Sequence, residues 1–271
     1  MLRGIAVLLL ILGLARPQLG NAEREVTSEG IDIMLVLDIS SSMRAVDFKP
    51  NRLEAAKKVA TDFVSERISD RIGLVVFGGE SFLQCPLTID YDVLRNFIDQ
   101  VEIIDEQYDG TAIGMALANA INRLRESPGK EPVIILLSDG RNNAGEVDPL
   151  TAADMAQTFG IKVYTIGAGK KGEALYPVQT PFGQDYMPVE VDIDEEVLQQ
   201  VAQQTGGKYF RAEDEQSLAT IYDEINQLEK TEYKVKEYTN WRELFPWFLI
   251  PGFALLLGEG VLRNTALRRD P

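Results

Sequence analysis

The chain of 271 residues has no histidine and a single cysteine, Cys85. Without histidine there is no Ser-His-Asp or Cys-His catalysis and no imidazole metal ligand. A lone cysteine excludes an internal disulfide and a thiolate cluster for zinc. Its apolar setting, Phe82-Leu83-Gln84-Cys85-Pro86-Leu87, reads as that of a small packed hydrophobe. Basic residues are also scarce, 27 Lys and Arg against 42 Asp and Glu, for a net charge of −15. Phosphate binding needs clustered Lys and Arg, so nucleic acid is not the partner. The acidic balance suits a soluble surface first, and a cation site or a basic partner second. With thiolate clusters and imidazole gone, any metal must be held by oxygen, which selects Mg²⁺, Mn²⁺ or Ca²⁺.

The remaining composition is that of a globular protein, 45% hydrophobic and 25% charged, enough for one large domain. Apolar sequence gathers at both ends. Gly4 to Ala15 is uncharged and follows Arg3. It is short for a membrane span. Residues 1–22 therefore read either as a signal-like segment, with Gly20-Asn21-Ala22 as a small-x-small site, or as an uncleaved anchor. Residues 244–262 read as a transmembrane helix, with Trp241 and Trp247 at belt positions and Arg263, Arg268 and Arg269 beyond. Such positive charge belongs on the cytoplasmic side. Pro246, Pro251 and Glu259 interrupt this stretch, and the competing reading is a docked C-terminal helix. Residues 233–243 become a juxtamembrane linker and 263–271 a cytoplasmic tail, which leaves residues 23–232 on the outer side.

Between the ends, apolar runs alternate with helical patterns. Ile31–Leu37, Ile72–Phe77, Val133–Leu137 and Ile161–Ile166 read as strands buried on both faces. Ser81–Leu87 reads as an edge strand and Lys208–Arg211 as a short one. Helical spacing marks Arg52–Ile68, Tyr91–Val101, Thr111–Arg125, Leu150–Phe159, Asp194–Gln204 and Gln216–Leu228. This order predicts an α/β fold, a doubly wound and mostly parallel sheet flanked by helices. Residues 170–192, rich in Gly and Pro, read as an irregular excursion, and Tyr233–Tyr238 as an extended link.

Three motifs carry chemistry. Asp38-Ile39-Ser40-Ser41-Ser42 ends the first strand, at the edge where open α/β sheets bind ligands. A tight turn there can aim the oxygens of Asp38, Ser40 and Ser42 at one point. The competing reading of any one serine is a helix N-cap. Thr111, in Asp109-Gly110-Thr111, opens a helix and has the same alternative. Leu137-Ser138-Asp139-Gly140 ends another strand, and a strand-order reversal between the two would bring Asp139 to Asp38.

Asp38-x-Ser40-x-Ser42, Thr111 and Asp139, in this order, resemble the metal-ion-dependent adhesion site of von Willebrand factor A domains. The resemblance covers roughly residues 30–230. It implies that Ser40, Ser42 and Thr111 coordinate a divalent ion, most often Mg²⁺, through their hydroxyls. Asp38 and Asp139 would act through water or by charge, and an acidic side chain of a protein partner would take an open position. Val46 to Glu54, Pro181-Phe182-Gly183, Thr205 to Phe210 and Leu262 to Thr265 narrow the likeness to the bacterial aerotolerance (Bat) membrane proteins, nearest the BatA type. That group implies a bacterial inner-membrane location with the domain on the periplasmic side, and as partners other Bat proteins and a MoxR-type AAA+ ATPase. An enzyme of the haloacid dehalogenase type would need a second aspartate where Ser40 stands, and no Gly-Lys-Ser/Thr phosphate loop is present. The reading is therefore an interaction module and not an enzyme, with a metal-independent membrane scaffold as the alternative.

Overall fold

The computed structural model describes residues 2–28, 30–127, 131–180, 183–190, 193–229 and 233–265. Arg268 and Arg269 of the expected tail, and residues 181–182 of the Pro181-Phe182-Gly183 motif, lie outside the described residues. In chain order the elements begin with α1 (Leu2–Leu14), β1 (Gln18–Ser28), β2 (Asp32–Asp38), α2 (Arg52–Ser65), β3 (Arg71–Phe77), β4 (Ser81–Thr88) and α3 (Tyr91–Asp99). They continue with α4 (Ile113–Leu124), β5 (Val133–Ser138), α5 (Pro149–Thr158), β6 (Lys162–Ala168), β7 (Glu173–Thr180) and β8 (Gly183–Glu190). The last are α6 (Glu195–Gln204), β9 (Tyr209–Ala212), α7 (Glu215–Leu228), β10 (Tyr233–Glu243) and α8 (Phe245–Thr265).

The chain forms two compact units, residues 28–232 and the two termini together. The larger unit carries a six-stranded sheet in the order β4-β3-β2-β5-β6-β9. Only β4 runs antiparallel, paired with β3 at the edge. The expectation of a mostly parallel doubly wound sheet holds. Residues of β2 alternate between two cores, because successive side chains of a strand point to opposite faces. Ile33, Leu35 and Leu37 pack with Leu53, Phe63 and Val64 of α2, Leu94 of α3 and Ile221 of α7. Met34 and Val36 pack with Leu117 and Ile121 of α4, Ala153 of α5 and Leu198 of α6.

Side-chain caps start most of these helices, with Asn or Asp oxygens satisfying first-turn N–H groups. Asn51, Asp90, Asp148, Asp194 and Asp214 each accept a backbone N–H in the first turn of α2, α3, α5, α6 and α7. The helix α4 is different: its N-cap is Ala112, and no side chain of that residue caps it.

One expectation is corrected. Within the stretch read as irregular, β7 and β8 pair along their length as an antiparallel hairpin. A two-stranded ribbon tolerates Pro177 and Pro188 despite their missing N–H groups. The extended link expected from Tyr233 is the strand β10, which pairs with β1 in a two-stranded sheet. In the same terminal unit, α1 and α8 pack on each other at small residues. A methyl on Gly13 would stand 2.7 Å from Leu249 Cγ, and one on Gly252 3.1 Å from Leu10 Cδ2. The stretch read as a transmembrane span is helical in α8, which has 21 residues with Pro251 inside. Among the described residues, no helix is long and apolar enough to cross a membrane.

Candidate metal centre

Strand order reverses at β2, whose neighbours are β3 on one side and β5 on the other. Ligands of open α/β sheets bind outside the carboxyl ends of the strands at such a point. Here those ends are Asp38 of β2 and Ser138-Asp139 of β5. Both carboxylates are buried, Asp38 fully and Asp139 at 2% exposure. The five residues singled out from the sequence come together. Ser40, Ser42, Thr111 and Asp139 line one cleft of about 700 Å³, and Asp38 lies beneath it, bonded to Ser40.

Ser40 Oγ donates to Asp38 Oδ1 at 2.6 Å, and the Ser40 backbone N–H reaches the same oxygen at 2.9 Å. Ser42 Oγ donates to Asp139 Oδ1 at 2.6 Å. The cap reading of Ser40 fails, because it precedes a 3₁₀ turn over Ser41–Arg44 without any side-chain cap bond. Its hydroxyl serves Asp38 instead. Thr111 caps nothing either. Its backbone N–H goes to Asn143 Oδ1 at 2.8 Å, and Asn142 Oδ1 receives Gly114 N–H at 3.4 Å. The loop after β5 therefore supplies the donors' partners at the start of α4, which leaves the Thr111 hydroxyl for other work. That hydroxyl faces Gly140, where a methyl would stand 3.2 Å from it.

These donors suit a hard divalent ion. Ser40 Oγ and Ser42 Oγ are 2.9 Å apart. When both hydroxyl hydrogens point to the carboxylates, the two oxygens face each other with lone pairs alone, and a cation relieves that contact. Octahedral Mg²⁺ with oxygens at about 2.0–2.1 Å sets neighbouring ligands about 2.9 Å apart. The described residues contain no group of three or more His, Cys, Asp or Glu that could hold a metal. The fit here rests on hydroxyls backed by two carboxylates.

Sequence reading missed several members of the site. Ser138 Oγ donates to Asp38 Oδ2 at 2.6 Å. Arg52, at the start of α2, donates from Nη1 to Asp139 Oδ2 at 2.7 Å. Its Nε and Nη2 form a fork on Asp47 at 2.8 and 2.6 Å. Asp109 accepts the backbone N–H of Ser41 at 2.9 Å and also its hydroxyl. Ala174, Tyr176, Val189 and Glu190 of the β7–β8 hairpin form a wall of the cleft.

Burial raises the Asp38 carboxyl to about 7, and the nearby Asp139 charge adds to this against the opposing bonds from Ser138 and Ser40. Burial also raises Asp139, partly offset by the Arg52 charge. At Asp109 burial pushes upward, but the Ser41 hydrogen bonds outweigh it and hold the carboxyl below its ordinary range. Asp38 is thus met by hydroxyls and a backbone N–H, whereas Asp139 has the Arg52 guanidinium beside it.

The family model of the von Willebrand factor type A domain matches residues 32–224. An uncharacterized protein of Borreliella burgdorferi is 30% identical over 255 residues, covering 93% of this chain and 74% of that protein. Among solved structures, the conserved hypothetical protein BatB from Bacteroides thetaiotaomicron is 31% identical with a TM-score of 0.63, covering 73% of this chain and 98% of that one. An aerotolerance-related membrane protein from Bacteroides fragilis is 29% identical with a TM-score of 0.62, covering 73% of this chain and all of that one.

Proposed function

The chain belongs to the von Willebrand factor type A domain family, and from that premise we propose that it is a membrane-anchored interaction module whose grip on a protein partner depends on a divalent metal. The observation that carries this reading is the convergence of Ser40, Ser42 and Thr111 over two buried carboxylates. Ser40, Ser42 and Thr111 would hold the ion directly, with Asp38 and Asp139 acting by charge and through water. Mg²⁺ is the best-matched metal, with Mn²⁺ or Ca²⁺ as alternatives. When bound, the ion supplies a Lewis-acid centre for a carboxylate, here an Asp or Glu of the partner. The protein's part is to orient the three hydroxyls and to bury Asp38 and Asp139. The proposal is for binding.

Anchoring rests on the terminal unit. Outward-facing apolar residues crowd both helices, Ile5, Leu8, Ile11 and Leu14 on α1 and Trp247, Ile250, Phe253 and Leu257 on α8. An apolar exterior of this extent suits lipid better than water. Small residues where the helices meet are the usual device for close packing there. Similarity to BatB and to an aerotolerance-related membrane protein supports a Bat-type complex. Within that reading the domain faces the periplasm from the bacterial inner membrane, and the partners are other Bat proteins and a MoxR-type ATPase.

The test is a pull-down with the full chain in detergent from a membrane extract, run with Mg²⁺, with EDTA, and with a Ser40→Ala, Ser42→Ala double variant. A partner retained only with metal and intact serines supports the reading. The same proteins bound in all three conditions would favour a metal-independent scaffold. The observation behind that second reading is Arg52, whose bond to Asp139 holds the site together without a metal.

A further inference from the structure

Arg52 is nearly fully buried, at 3% exposure, and its guanidinium is clamped between Asp139 and Asp47. The Asp47 side chain is itself 3% exposed. It also accepts the Lys170 backbone N–H at 3.1 Å, which fixes it from the far side. Arg52 is the first residue of α2. A cation there is opposed by the positive end of the helix dipole, and Asn51 already caps the helix. The helix gains nothing from the charge, so its position answers to the carboxylates.

A divalent ion held by Ser40 and Ser42 draws on the charge of Asp139, since Ser42 donates to Asp139 Oδ1. Arg52 holds the other oxygen of that carboxylate, Oδ2. The ion and the guanidinium therefore repel each other and share one anion. Asp47 moderates the contest, because it draws part of the Arg52 charge away from Asp139.

We propose that Arg52 is a positioning residue that acts as a built-in counter-cation, lowering the divalent-metal affinity of the site through Asp139, with Asp47 as the residue that limits its effect. This rests on the metal-binding reading above. The role differs from that of a structural strut in the sign of its consequences. Loss of a strut loosens metal binding. Loss of a competing cation tightens it.

The probe is Mn²⁺ alone, titrated into the full chain in detergent at fixed pH and ionic strength, with free Mn²⁺ followed by its paramagnetic resonance signal. Arg52→Met is expected to bind about tenfold tighter than the unchanged chain, the size typical of partners that touch a ligand's backing group. Arg52→Lys keeps the charge and should stay within about twofold. Asp47→Asn frees Arg52 to lean on Asp139 and should bind several-fold weaker. Binding by Arg52→Met that is unchanged or weaker overturns the proposal. If that variant does not fold, tighter or unchanged binding by Asp47→Asn overturns it. The Ser40→Ala, Ser42→Ala variant separates the two levels. If it binds Mn²⁺ as well as the unchanged chain does, the metal site itself is misassigned and the proposal falls with it. If it loses binding while Arg52→Met gains none, only the role of Arg52 is wrong.

Discussion

The two ends of one sheet treat buried charge in opposite ways. At the amino edge three buried acids each have a basic partner. Asp32 takes Arg71, Asp70 takes Arg67, and Glu229 takes Lys162 with help from Tyr164. At the carboxyl edge Asp38, Asp47, Asp109 and Asp139 gather, and Arg52 bridges only Asp47 and Asp139. Asp38 is met by hydroxyls and a backbone N–H, which stabilise an anion without neutralising it. One edge is a closed account of ion pairs. The other gathers four acids where the topology opens a cleft, and Asp38 among them is held by hydroxyls and a backbone N–H. The same chemistry, carboxylates buried beside strands, is structural at one end and receptive at the other.

One kind of substitution should therefore have opposite effects at the two edges. Asp70→Asn leaves the buried Arg67 guanidinium without its carboxylate, and Arg67 Nε and Nη2 already have no hydrogen-bond partner. It should cost about 3 kcal/mol, read as a lowered denaturant midpoint with or without metal. Next in size comes the carboxyl edge with metal present. Mg²⁺ at about a hundred times its dissociation constant should stabilise the unchanged chain by about 2.7 kcal/mol. The Ser40→Ala, Ser42→Ala variant should lose that increment, so that its midpoint, already lowered by stripping a hydroxyl donor from each buried carboxylate, no longer rises when Mg²⁺ is added. The third effect is smaller and of opposite sign to the first. Asp38→Asn removes a buried charge that lacks a counter-ion, so in EDTA at pH 8 it should raise stability by about 1 kcal/mol. A loss of stability there would mean that the carboxyl edge is as closed as the amino edge, and the comparison would break.

Much of this contrast was legible in the sequence, and the reasons differ by element. Continuous apolar runs such as Val133–Leu137 announce strands buried on both faces, so the parallel sheet could be read directly. Asp38, Ser40 and Ser42 were legible because their spacing places oxygens on a turn at a strand end, and Thr111 and Asp139 joined them through the family resemblance. Arg52 was not, since its role depends on a contact with Asp139 across 87 positions. Asn142 and Asn143 were hidden for the same reason: what they free is the hydroxyl of a residue on another element. The β7–β8 hairpin was obscured by Pro177 and Pro188, which argue against strands in a central sheet but not in a two-stranded ribbon. The pairing of β1 with β10 joins the two termini and leaves no local signature. What sequence reveals is the chemistry of each loop. What it withholds is which loops meet.

The smallest effect sharpens the comparison by its sign. Asp38 has its folded pKa raised to about 7, from an ordinary 3.8, by burial and by the charge of Asp139. A group raised in this way favours the folded state when protonated. In EDTA its contribution is present below the unfolded value and is lost as pH rises through about 7. With metal the direction reverses, because the ion needs the site ionised and competes with the proton. Between pH 7.5 and 6.5 a single group at about 7 should weaken Mg²⁺ binding about threefold. Thermal midpoints measured across this range should therefore rise towards low pH in EDTA, while the gap between the Mg²⁺ and EDTA curves narrows. In Asp38→Asn the EDTA slope from this group should vanish while the chain remains folded. Parallel curves with and without metal in the unchanged chain would show that proton and ion do not compete at Asp38, and that its charge is neutralised within the protein as fully as that of Asp70.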